Sequence, residues 1–186
     1  VKKLVVSEFV SIDGVMEAPG GEPDYPHTNW VGEHQGGDDH FTYKLEEIRE
    51  AESHLLGRVT YESFAGAWPS RTGEYAEKIN AMPKYVVSTT LTKPEWNNST
   101  VISGDFRAGI TRLKQSDGGP ILVAGSRKLV HWLTAQDLVD EFRLMIFPVV
   151  LGSGFRMFPE SERKLDLKLA DSRAFQSGVV LQIYRR

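Results

Sequence analysis

The chain contains no cysteine, which excludes disulfides, thiol nucleophiles and cysteine-ligated metal sites together. It also lacks any run approaching the roughly 18–20 apolar residues of a membrane-crossing helix. Its start, Val1-Lys2-Lys3, leads into a strand-like segment and not into a leader pattern. Charge of one sign is missing as well: 25 acidic residues against 22 basic give a net −3. The signs are interleaved, with no basic run that would draw nucleic acid or an anionic membrane. No internal repeat or low-complexity tract interrupts the chain. These absences leave a soluble, cytoplasmic protein with no nucleic-acid and no membrane partner as the expectation. What is present is 186 residues with 40% hydrophobic content, enough for one sizeable core, so residues 1–186 read as a single domain.

The most informative stretch is Pro120 to Leu133, P-I-L-V-A-G-S-R-K-L-V-H-W-L. Ile121-Leu122-Val123 is a short apolar run of the kind a strand buried on both faces produces. Ala124-Gly125-Ser126 has almost no side-chain bulk, and a helical pattern follows at once, with Leu129, Trp132 and Leu133 on one face and Ser126 at the N-cap. A strand, a small-residue turn and a fresh helix N-terminus can bind an anion. The first N–H groups lack helical partners, and the dipole places about half a positive charge there. The same pattern also fits a plain strand-to-helix turn with no ligand.

Along the chain, Lys3–Val10 reads as a central strand closed by Ser11-Ile12-Asp13-Gly14. Ala18–Gly37 is a long Gly- and Pro-rich loop carrying Tyr25, His27 and Trp30, long enough to cover a site. Asp38 or Asp39 starts a helix to about Ala51 with Phe41, Leu45 and Ile48 as its apolar stripe. His54–Gly57 is a buried strand, and Arg58–Phe64 opens a helix. Residues 74–82 form another helix, Lys84–Ser88 a strand, Thr100–Ile102 a short strand, and Asp105 caps a helix to Gln115. Leu138–Leu151 is β-rich. Leu165–Phe175 and Val179–Tyr184 alternate as a C-terminal hairpin. Strands alternating with helices, then an antiparallel end, imply an α/β domain on a mostly parallel mixed sheet.

Three places share one logic, a strand ending in small or hydroxyl residues: Gly57-Arg58-Val59-Thr60, Ser88-Thr89-Thr90 and Ala124-Gly125-Ser126. Ligands collect at the carboxyl ends of strands in open α/β sheets. Side by side, these ends would offer two helix N-termini, hydroxyls and the forked guanidinium of Arg58 to one elongated anion. Gly152-Ser153-Gly154 lacks the third glycine of a dinucleotide fingerprint and reads as a structural turn. His34 and His40 flank a Gly-Gly-Asp-Asp run, but the five histidines show no helical i, i+4 pairing, and no metal is expected. His54 and His131 read as structural, and Glu46, Glu47, Glu50 and Glu52 as a solvated helix face. Trp68 fits either the core or a cleft wall.

Leu56-Gly57-Arg58-Val59-Thr60-Tyr61-Glu62-Ser63 resembles the M-G-R-x-T-[WY]-E-S stretch of dihydrofolate reductases. The later run, Leu138-Val139-Asp140-Glu141 through Pro148-Val149-Val150-Leu151-Gly152-Ser153-Gly154, is closer to the reductase domain of bacterial bifunctional riboflavin biosynthesis proteins, as is Ser11-Ile12-Asp13-Gly14. The resemblance implies a dihydrofolate reductase-like fold, with helices on both faces of the sheet, and hydride transfer from NADPH to a small pterin-like, pyrimidine-like or other heterocyclic substrate. It places Gly57, Arg58, Val59 and Thr60 at the pyrophosphate and 2′-phosphate, Ser88, Thr89 and Thr90 at the adenosine end, and Ala124, Gly125, Ser126, Arg127, Lys128 and Leu129 along the diphosphate and nicotinamide. Asp13, then Asp39, are the proton-donor candidates. The resemblance further implies a cis peptide between Ala124 and Gly125 and a homodimer. The family's substrate-gripping carboxylate has no match near Phe41-Thr42, which counts against dihydrofolate. The deaminase half of the bifunctional proteins has no counterpart here, so deamination is not expected. The alternative function is a nucleotide-binding protein of this fold without turnover.

Overall fold

The structure, a computed structural model, describes residues 1–34 and 39–186. Asp38, one of the two helix starts expected above, lies outside the described residues. The chain forms two compact units, Val1–Val6 with Tyr43–Val139, and Ser7–Thr42 with Asp140–Arg186. Strand β1 (Leu4–Ser11) and helix α1 (Asp39–Glu50) contribute residues to both.

In the first unit the strand order is β4 (Ser99–Ile102), β3 (Lys84–Val87), β2 (Ser53–Gly57), β5 (Ile121–Val123), β1. Every pairing among them is parallel. All residues of β2 and β5 are buried, as the unbroken apolar run of β5 requires, and in β2 the burial extends to Ser53 and His54 beside Leu55-Leu56. Helices α2 (Arg58–Ala67), α3 (Glu74–Ala81), α4 (Phe106–Gln115) and α5 (Arg127–Ala135) complete the unit. Its core gathers Val5, Ile48, Leu56, Tyr61, Ile79, Val86, Trp96 and Leu122. Full burial of one such aliphatic side chain contributes about 1.5–3 kcal/mol. Asp105 caps α4 as expected, its carboxylate accepting from the Ala108 amide at 3.0 Å.

The second unit holds the rest of β1, with β6 (Glu141–Phe147), β8 (Val180–Arg185) and β7 (Lys168–Ala174) in that order. β8 pairs antiparallel with both β6 and β7, the C-terminal hairpin of the sequence reading. β7 is exposed at every position but Asp171. The loop after β1 is anchored by its aromatics. Trp30 is buried, donates from Nε1 to the Glu17 carbonyl at 2.8 Å and meets Phe147 edge-on. The Tyr25 hydroxyl donates to the Ser153 carbonyl at 2.7 Å. Gly154 is required there: a Cβ on it would lie 2.8 Å from the Val15 side chain, at a φ of +119°.

Three expectations need correction. Phe41 is 47% exposed; on α1 the buried positions are His40, Tyr43, Glu47 and Ile48, so the stripe is rotated from the one expected. Glu47 is 2% exposed and accepts from the Lys44 ammonium one turn earlier, and Glu52 accepts from Lys2 and from the Gly119 amide. These two acids are paired and not a solvated face. The strand expected over Leu138–Leu151 covers only Glu141–Phe147; Pro148 has no amide to continue the ladder. Trp68 packs at the rim of the first unit's core, with the Arg71 guanidinium 4.5 Å from its ring centre.

Candidate functional site

The register of the parallel strands decides what meets at their carboxyl ends. Gly57 pairs with Val87, and Ser53 and His54 pair with Ile121 and Leu122. β2, β3 and β5 therefore end at one edge, followed respectively by α2, the Ser88-Thr89-Thr90 turn, and Ala124-Gly125-Ser126 leading into α5. The three segments singled out in the sequence come together in the first unit.

The contact between the two helix starts is close. A Cβ on Gly57 would fall 2.1 Å from the Ser126 Oγ and 3.2 Å from its Cβ, and a Cβ on Gly125 would fall 3.1 Å from the Thr60 Oγ1. Glycine at 57 and a small residue at 126 are what allow the N-termini of α2 and α5 to converge. The cis peptide lies between Gly125 and Ser126, one bond later than expected, and Gly125 itself has a φ of +69°, a region glycine enters freely.

Neither N-terminus is satisfied from within. The caps Gly57 and Ser126 make no side-chain hydrogen bond to their helices, and the first turns of α2 and α5 carry no acid. The expected Ser126 side-chain cap is therefore not formed. The other helices differ. α4 has its Asp105 cap, α3 has Glu74 and Glu77 in its first turn, and α1 begins with Asp39. In place of acids, α2 starts with Arg58 and α5 with Arg127-Lys128. Cations at the positive end of a helix dipole are locally unfavourable, so two such ends side by side make a strongly electropositive, anion-seeking edge.

Individual residues take distinct parts. Arg58 and Val59 are exposed, and Thr60 faces Gly125. Arg58 donates from Nη1 to both carboxylate oxygens of Glu62, at 3.0 and 2.8 Å. The Ser88 Oγ accepts from the Thr90 and Leu91 amides at 3.1 and 2.9 Å, so it shapes its turn while Thr89 and Thr90 stay exposed. Leu129 is buried, and its Cβ lies 3.7 Å from where a Gly57 Cβ would stand; it backs the cradle. Lys128 is exposed, and Ala124 and Arg127 are half-buried.

In the second unit, Asp13 accepts from the Ser11 hydroxyl at 2.6 Å, the Leu151 amide at 3.1 Å and the Gly152 amide at 2.8 Å. Desolvation pushes its carboxyl upward, but these hydrogen bonds outweigh it and hold the pKa at about 2. Asp39 accepts from the His40 amide at 3.0 Å and from the Gln176 amide at 2.8 Å. Both carboxylates are engaged with backbone. Among the described residues no cluster of three or more histidine or acidic side chains could hold a metal, and no helix is long and apolar enough to cross a membrane.

A family model, the RibD C-terminal domain, matches residues 2–181. The chain belongs to that family. The uncharacterized protein YwjB of Bacillus subtilis (strain 168) is 31% identical over 185 residues, covering 99% of this chain and 98% of its own. A solved structure from Shewanella sp. PV-4, named for riboflavin biosynthesis, superposes with a TM-score of 0.75 at 20% identity, covering 99% of this chain and 98% of that one. The Thermotoga maritima diaminohydroxyphosphoribosylaminopyrimidine deaminase/5-amino-6-(5-phosphoribosylamino)uracil reductase superposes with a TM-score of 0.66 at 13% identity, over 99% of this chain and 56% of that one. At these identities the two structures speak to the fold: the chain has the α/β architecture of riboflavin-reductase-like proteins.

Within this RibD C-terminal domain chain, the sequence expectation for the first turn of α2 ends at Thr60 and passes over Glu62. Its signal is nonetheless in the sequence, an i, i+4 spacing from Arg58 on a helix. The Gly57–Ser126 approach has no sequence signal beyond the smallness of both residues, because 69 positions of chain separate them.

Proposed function

We propose that the chain is an NADPH-dependent reductase acting on a small pyrimidine-like, pterin-like or other heterocyclic substrate. The observation that carries this reading is the pair of uncapped, acid-free helix N-termini brought together by Gly57 and Ser126. A dinucleotide pyrophosphate is an elongated anion of matching charge. The amides of the first turns of α2 and α5 would hold it, with Thr60 and Ser126 beside them. Arg58 would take the 2′-phosphate that separates NADPH from NADH, and Thr89 and Thr90 the adenosine end. Bound NADPH would supply the hydride. Asp13, whose pKa is lowered to about 2, accepts from the Leu151 and Gly152 amides and so fixes that backbone.

Substituting Arg58→Ala tests the assignment. NADPH affinity is expected to fall roughly 10- to 100-fold, the range for loss of a charge-assisted contact, with NADH little changed. Equal loss for both cofactors removes Arg58 from the 2′-phosphate.

The engagement of both candidate carboxylates favours a second reading, a dinucleotide-binding protein without turnover. Steady-state NADPH oxidation with pterin, flavin and quinone panels separates the two: tight binding with no oxidation selects the second.

A further inference from the structure

We propose that Glu62 sets the dinucleotide preference through Arg58. It holds the guanidinium in a resting ion pair from which the cofactor's 2′-phosphate must take it, which makes Glu62 a positioning residue for specificity. The inference rests on the function proposed above and deepens it. Arg58 opens α2, and its Nη1 reaches both Glu62 oxygens, at 3.0 and 2.8 Å. The side chains are 44% and 51% exposed, so the pair is of the weak, solvent-screened kind that exchanges partners readily. Its order along the helix, cation before anion, is the less favourable one. Helix stability therefore gives little reason for this pairing.

The electrostatics give a better one. With no acid in the first turn of α2, Glu62 is the carboxylate that meets the guanidinium the 2′-phosphate needs. An incoming phosphate must displace that carboxylate or share the guanidinium with it, and feels its negative charge at short range either way. NADH brings a neutral hydroxyl to the same place and pays neither penalty. Glu62 thus moderates NADPH binding selectively, and the Arg58–Glu62 pair, not Arg58 alone, fixes the ratio of the two affinities.

The test measures Kd for NADPH and for NADH by calorimetry on the full chain, for wild type, Glu62→Gln, Glu62→Asp, Arg58→Ala and the Arg58→Ala/Glu62→Gln double variant. Glu62→Gln is expected to tighten NADPH about two- to five-fold, the scale of an exposed ion pair, and to leave NADH unchanged. Glu62→Asp keeps the charge and should restore the wild-type ratio. In the Arg58→Ala background the Glu62→Gln gain should shrink or vanish. Equal shifts for both cofactors, weaker NADPH binding in Glu62→Gln, or a gain undiminished without Arg58 would each overturn the proposal. Binding of neither cofactor by wild type would instead overturn the proposed function, and this inference with it. Unchanged melting temperatures for the single variants confirm that the comparison is between folded proteins.

Discussion

Gly57 and Ser126 are the residues on which the cradle turns, because a side chain on the first would stand within 2.1 Å of the hydroxyl of the second. Adding a methyl at 57 forces the Ser126 hydroxyl to rotate and still leaves its Cβ at 3.2 Å, tighter than ordinary packing. Gly57→Ala is expected to cost about 1–3 kcal/mol of stability, the range for overpacked sites, and to weaken dinucleotide binding by spreading the two helix starts. Ser126→Gly added to Gly57→Ala should recover part of that stability, as read by urea unfolding. A double variant no more stable than Gly57→Ala would mean that the two segments do not touch as described. At this scale the residue types were visible in the sequence, but the contact was not.

Among the elements, the turn after β1 is held by its own backbone hydrogen bonds and by the Asp13 carboxylate. Asp13 joins it to the Leu151-Gly152 backbone beyond β6, with the Ser11 hydroxyl donating to the same group. Because its folded pKa of about 2 lies below the ordinary 3.8, its contribution is fully present above pH 3.8 and is lost as pH falls through 2. Asp13→Asn should therefore destabilise the protein at pH 7 by about 1 kcal/mol, allowing for solvent screening. The gap to wild type should close toward pH 2; a gap that stays constant would show that the charge is not what matters. The elements themselves were largely legible: β2, β3, β5, α2, α3, α4 and the hairpin are all where periodicity and turn residues put them. The α1 face was not, since Glu47 is buried by pairing with Lys44, and an acid in a run of acids gives no sign of its partner. Nor were the partners of Asp13 legible. A strand-ending Asp looks the same in sequence whether it gives up a proton or accepts amides from residues some 140 positions away.

At the scale of the whole molecule, stability should respond to acid through two buried imidazoles. His54 is fully buried in β2, and its imidazole nitrogens have no hydrogen-bond partner among the described residues. Desolvation first, then the charges of Lys44 and Lys84, lower its pKa to about 3 from 6.5. His40 is shifted down too, burial outweighing the attraction of Asp39. A depressed histidine is neutral in the folded state while the unfolded chain takes up a proton below 6.5. Stability is thus lost as pH falls from 6.5 toward 3, at up to about 1.4 kcal/mol per pH unit for His54. His54→Leu should flatten the acid limb of a melting-temperature profile while staying near wild type at pH 7.5, since an unpaired buried polar group is replaced by an apolar one. An unchanged acid slope would show that His54 does not titrate between the two states.

Calorimetric titration of the wild-type chain with NADPH and with NADH tests whether the convergent starts of α2 and α5 bind a 2′-phosphorylated dinucleotide. One NADPH per chain is expected, bound more tightly than NADH, with the preference falling as salt screens Arg58. Failure of both dinucleotides to bind, or equal affinity for the two at low salt, would contradict that expectation.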